Sequence, residues 1–129
     1  MIQPATLPLV GNRWTPLVYT IQVTGADLSA ATFKAQVRLL PGTSGTPLVD
    51  LATAALGAEG ISCTSATVGA DTVSTITLRV NQSTMSGLPV APATGDDVTL
   101  YWDMHVTRTG FSKAVYFRGP FTVLAGVTQ

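Results

Sequence analysis

The feature that most constrains this chain is an alternation of apolar and polar residues, one on and one off, cut at short intervals by Gly, Pro and Asp. Such a period of two puts alternate side chains on opposite faces of an extended strand and fits no helix. Residues 15–23, "TPLVYTIQV", place Leu17, Tyr19, Ile21 and Val23 on one face and Val18, Thr20 and Gln22 on the other. Residues 32–40, "TFKAQVRLL", set Phe33, Ala35, Val37 and Leu39 inward against Lys34, Gln36 and Arg38 outward, a half-buried and half-wet strand. "PGTSG" at 41–45 then turns the chain so that "TPLVDL" returns as a hairpin arm. Residues 61–68 and 73–80 flank "GAD" as a second hairpin, whose later arm buries Ile76, Leu78 and Val80. The breaker-rich "NQSTMSGLPVAPATGDD" reads as a connection between sheets, with Gln82 or Ser83 opening one helical turn that Gly87 ends. Residues 98–108 and 113–124 make a long last hairpin, in which Gly119 and Pro120 mark a bulge or kink. About seven strands, spaced at roughly 8–12 residues with at most a short helical turn, predict an all-β, antiparallel immunoglobulin-like β-sandwich. A Cys-Trp-Cys framework of the antibody type is missing.

Length allows one such domain: 129 residues can bury a real core without staples. The expected division is an N-terminal arm over 1–13 and a single sandwich over 14–129, because the apolar residues of "MIQPATLPLV" show no periodicity that would bury them at home. Seven basic residues balance seven acidic ones without any basic run, which argues against a nucleic-acid partner. Only 11% of residues are charged, and so weakly charged a surface, dressed in Thr, Ser, Gly and Ala, is expected to be partly covered by other subunits. No apolar stretch approaches the roughly 20 residues of a spanning helix, so no membrane association is expected. The start has no basic region ahead of an apolar core, so no signal peptide is expected and the chain is read as made in the cytoplasm. Cys63 stands alone and forms no intrachain disulfide.

The densest chemistry lies in "TLYWDMHVT" at 99–107, which holds the single histidine. Alternation sends Leu100, Trp102, Met104 and Val106 inward and leaves Tyr101, Asp103 and His105 on the other face. Asp103 and His105 then have Cα atoms about 6.5–7 Å apart and touch only by leaning. A two-residue loop in the last hairpin sets Asp103 opposite Tyr116; a four-residue loop sets it opposite Arg118, as a cross-strand ion pair. A catalytic triad further needs a positioned nucleophile and oxyanion donors, and no G-x-S-x-G elbow is present. No enzymatic activity is therefore expected. One His and one Cys make no ordinary zinc site, and "GDD" at 95–97 lacks the spaced ligands of a calcium loop, so neither metal nor cofactor is expected. Trp14, beside Arg13, is read as closing one end of the sandwich, with a sugar-stacking platform as the alternative.

The order of motifs resembles the small β-sandwich domains of tailed-bacteriophage virion proteins, such as the N-terminal domain of baseplate upper proteins and tail-fibre attachment domains. The residues that carry the resemblance are Asp27, Leu28, Phe33, Val37 and Arg38; then Tyr101, Trp102, Asp103, Val106 and Thr107; and at the end Gly119, Phe121, Val123, Val127 and Thr128. It spans nearly the whole chain, through motifs that are mostly structural. It implies a structural virion protein, a small tail-, baseplate- or head-associated subunit that assembles as a homo-oligomer and attaches to other virion proteins. A shaft does not follow the last motif, and 52–60 is longer and richer in alanine than a hairpin needs, which favours a free-standing component. Trp14, Tyr101, His105, Tyr116 and Arg118 are the candidate interface residues. A capsid decoration protein is one alternative; the other is a host-glycan binding module, which would need Trp14, Tyr101 and Tyr116 clustered.

Overall fold

The computed structural model describes residues 4–42, 44–90 and 95–127. Two sheets face each other. The larger is built from β1 (Ala5–Thr6), β2 (Leu9–Asn12), β4 (Thr32–Arg38), β5 (Val49–Ala52), β8 (Val98–Thr107) and β9 (Ala114–Leu124), in the order β1-β9-β8-β4-β5 with β2 also along β9. The smaller has the order β3-β7-β6, from β3 (Leu17–Thr24), β6 (Gly60–Val68) and β7 (Asp71–Val80). Chain order alternates between the sheets in the immunoglobulin manner, and every pairing is antiparallel except those of β1 and β2 with β9. All seven expected strands are present. Among the described residues there are nine, because the N-terminal segment supplies two more.

The core is the sum of the inward faces that alternation assigns. Leu100, Trp102, Met104 and Val106 of β8 are all buried, and Phe33, Ala35 and Val37 of β4 lie beside them. Ile76, Leu78 and Val80 of β7 close the core from the smaller sheet. Leu39 does not join them: β4 ends at Arg38 and Leu39 is 54% exposed, because the chain is already turning toward Pro41 and Gly42. As expected, the chain passes from the smaller sheet at β7 to the larger at β8. Its helix α1 (Gln82–Ser86) begins at Gln82, preceded by Asn81 as cap and followed by Gly87, and Met85 plugs the core.

Within the expected arm over 1–13, the described part is tied to the larger sheet. Ala5 and Thr6 pair with Phe117 and Arg118, and Leu9 to Asn12 run parallel to Phe121 to Leu124. Leu9 is fully buried and Leu7 packs on the core margin. The segment lacks a strand period because Pro8 divides it, yet each half finds main-chain partners on β9. Arg13 locks its end: its guanidinium is buried and donates to the carbonyls of Leu88 at 2.5 Å and Pro89 at 2.6 Å. A second buried polar residue, Ser74, accepts from the Leu28 N–H and donates to the Ala26 carbonyl, tying the β3 to β4 connection onto β7.

The expected bulge at Gly119 and Pro120 lies elsewhere. Trp102 pairs with Gly119 and Tyr101 with Pro120 in unbroken register. The shift falls between Met104 and His105, where Phe117 and then Val115 are the partners and Tyr116 is passed over. Gly119 serves close approach instead: a Cβ there would stand 2.7 Å from the Leu7 carbonyl oxygen. That oxygen accepts a hydrogen bond from Trp102 Nε1 at 2.9 Å.

Candidate functional site

Three of the five candidate interface residues, Tyr101, His105 and Arg118, gather on the outer face of β4, β8 and β9, while Tyr116 packs against the core margin at the bulge. The register explains why. Arg38, Tyr101 and Pro120 form one cross-strand row; Gln36, Asp103 and Arg118 form the next; Lys34, His105 and Val115 form the third. Side chains in successive rows on one face stand about 7 Å apart. A groove of about 650 Å³ follows, lined by Gln36, Arg38, Tyr101, Asp103, His105 and Arg118. A second, of about 760 Å³, shares Asp103 and Arg118 and continues past Tyr116 to Arg108 and Phe111, where the Arg108 guanidinium sits 4.4 Å over the ring.

From Val98 to Met104 the register is the one a four-residue loop would set, with Asp103 opposite Arg118, but beyond the bulge it shifts by one, so that neither expected loop register reaches the turn. The cross-strand ion pair expected from it does not form. Asp103 leans along its own strand and meets His105 at 3.5 Å between Oδ2 and Nε2, a contact that is an ion pair when the imidazole is protonated. Among the described residues the only other ion pair joins Lys34 to Asp50 at 3.7 Å. Both side chains of the Asp103 and His105 pair stay partly exposed, at 48% and 35%, so the contact adds at most about 1 kcal/mol. No described hydroxyl or thiol is hydrogen-bonded to His105, and Ser112 reaches only the rim of the second groove. No described cluster of three or more His, Cys, Asp or Glu side chains is arranged to hold a metal.

Tyr116 is half-buried in the bulge, its ring meeting Phe117 edge-on at 6.5 Å. Trp14 is not part of this face. It follows β2 beyond Asn12, which pairs with Leu124, eight residues along β9 from Tyr116 and about 26 Å away at the strand rise. There it is half-buried against Gly126, with its N–H donating to Asn12 Oδ1 at 3.1 Å, which suits the end-closing role. Trp14, Tyr101 and Tyr116 therefore do not form one aromatic platform.

Two groups with displaced proton affinity lie away from these grooves. The Asp27 carboxylate is held below its ordinary value by hydrogen bonds from the Ser29 hydroxyl, at 2.6 Å, and the Ser29 N–H. Burial pushes the Cys63 thiol up, against the thiolate form. The Asx turn at Asp27 is legible in "ADLSA". Burial of Arg13 and Ser74 is not legible, because their partners lie 75 and 46 residues away in loops.

The chain matches no protein-family model, and no curated protein is detectably similar to it.

Proposed function

We propose that this protein is a structural component of a bacteriophage virion, a small baseplate-, tail- or head-associated subunit that works by self-assembly and by attachment to other virion proteins. The observation that carries this reading is the outer face of β4, β8 and β9: a broad sheet surface on which Tyr101, His105 and Arg118 gather beside two grooves, the second of which Tyr116 lines. Aromatic and Arg side chains are what protein interfaces concentrate. The phage assignment itself rests on the motif resemblance, with which an immunoglobulin-like sandwich agrees.

Protein composition of purified particles from a producing culture tests the assignment. The chain is expected as a stoichiometric particle component; its absence from particles, with the chain abundant in the lysate, overturns the reading. Within such particles, Tyr101→Ala combined with Arg118→Ala is expected to lower incorporation while leaving the thermal midpoint of the free chain within a few degrees, since both side chains are on the exposed face.

A further inference from the structure

The two sheets treat their edges differently. In the larger sheet β5 is four residues long and carries Asp50, and the opposite edge is interrupted between β1 and β2 at Leu7 and Pro8. Short length, charge and proline are the devices that stop edges from pairing with other chains. In the smaller sheet, β3 has none of them. Its eight residues, "LVYTIQVT", contain no charge, no Pro and no Gly, and all but Leu and Gln are β-branched or aromatic. The N-terminal segment just before it runs along β9 instead, so no described residue pairs with the outer edge of β3. The other edge, β6, is partly occupied: Ala54 N–H donates to Ile61 O, and Thr53 bridges Ile61.

We infer that the open edge of β3 pairs antiparallel with β3 of a second copy of this chain, joining two three-stranded sheets into one six-stranded sheet across a two-fold axis. This gives a surface to the self-assembly in the proposed function and rests on that reading for its biological role. Backbone parity restricts the register to two-folds centred on a residue. Gly25 N–H donates to Thr72 O, continuing the β3 to β7 ladder, so the odd-numbered residues of β3 bond to β7. The N–H and C=O groups of Val18, Thr20, Gln22 and Thr24 therefore point to the open edge. A two-fold centred on Ile21 puts Thr20 opposite Gln22 of the second copy and Val18 opposite Thr24, satisfying all four residues with about eight main-chain hydrogen bonds. Centring on Thr20 would instead oppose Thr24 to Pro16, which has no N–H to give, and centring on Gln22 would oppose Val18 to Ala26, whose carbonyl already accepts from the Ser74 hydroxyl. The Ile21 register also keeps faces matched: Tyr19 meets Val23, and Ile21 meets its own copy. These three side chains are only half-buried within one chain, on the core margin. Second copies are favoured over a foreign strand because the edge is neutral and complementary to itself.

Light scattering over about a hundredfold range of concentration, with amide hydrogen exchange at each end, tests the pairing. A concentration-dependent dimer is expected, with the amides of Val18, Thr20, Gln22 and Thr24 becoming protected as it fills. Thr20→Lys with Gln22→Lys sets like charges opposite each other twice and is expected to weaken the dimer about tenfold or more. Thr20→Lys with Gln22→Glu sets opposite charges there and is expected to restore it. Both positions are exposed, so both variants should keep the thermal midpoint of the native chain. A monomer at every concentration, a dimer whose four amides still exchange freely, or a double-lysine variant that dimerises as the native chain does would each overturn the pairing. A monomer that is nonetheless a particle component would remove this surface and leave the proposed function standing.

Discussion

Single residues matter here mainly where they carry polarity into the interior. Arg13 is the strongest case: a buried guanidinium whose two arms each hold a main-chain carbonyl, so that β2 and the chain after α1 are joined by one side chain. Arg13→Met leaves both carbonyls unpaired, and urea titration should show a loss of about 2–4 kcal/mol. Arg13→Lys should fall between the two, since one ammonium lacks the planar fork that spans both acceptors. An unchanged midpoint for Arg13→Met would show that the latch contributes nothing. Asp27 is the counterpart on the surface. Its folded value is lowered, so its contribution is present above the ordinary value of 3.8 and is lost as the pH falls through the lowered one. Stability of Asp27→Asn against pH should therefore lie below that of the native chain at neutral pH and converge with it in acid. Parallel curves would remove Asp27 from the acid limb.

At the scale of elements, β9 organises the larger sheet, because its two edges hold β8 on one side and β1 with β2 on the other. Gly119 makes that seam possible. Gly119→Ala would bring a Cβ to 2.7 Å from Leu7 O and 3.0 Å from Leu7 C, both main-chain atoms with little room to give. Loss of about 1–3 kcal/mol is expected, with red-shifted tryptophan emission as Trp102 Nε1 loses its acceptor. Unaltered emission and stability would mean that the seam can move aside. The hairpins were legible in the sequence because each depends on neighbours: "GAD" closes β6 onto β7, with Gly69 at φ +63, and alternation assigns the buried face of β8. The bulge was not. "YFRGP" offers Gly119 and Pro120 as the obvious irregularity, yet the register shifts at Tyr116, whose ring lies edge-on to Phe117.

For the whole molecule, the N-terminal segment is the piece whose role changes most between sequence and structure. It contributes Leu9 to the core, accepts from Trp102 and completes one edge of the larger sheet. Deleting residues 1–12 should cost about 3–6 kcal/mol, a large part of the roughly 5–15 kcal/mol that holds a domain of this size together. A truncated chain that melts with the native one would mean that this strand is an accessory. The same segment runs along β9 and not along β3, whose outer edge has no partner among the described residues.

By itself the sequence determined seven of the nine described strands, most of their buried faces and the class of fold, because these follow from a period of two and from turn residues acting over a few positions. It also placed Tyr101, His105 and Arg118 on one face, since parity within a hairpin survives an even slip. Only the tertiary structure decided that Asp103 turns to His105 rather than Arg118, that Arg13 is buried, and that residues 5–12 are strands of the domain. Those outcomes depend on partners remote in sequence: carbonyls at 88 and 89 for Arg13, and the far edge of β9 for the N-terminal strands. Local patterning carries no record of such partners, because a main-chain hydrogen bond is offered identically by every residue that could have made it.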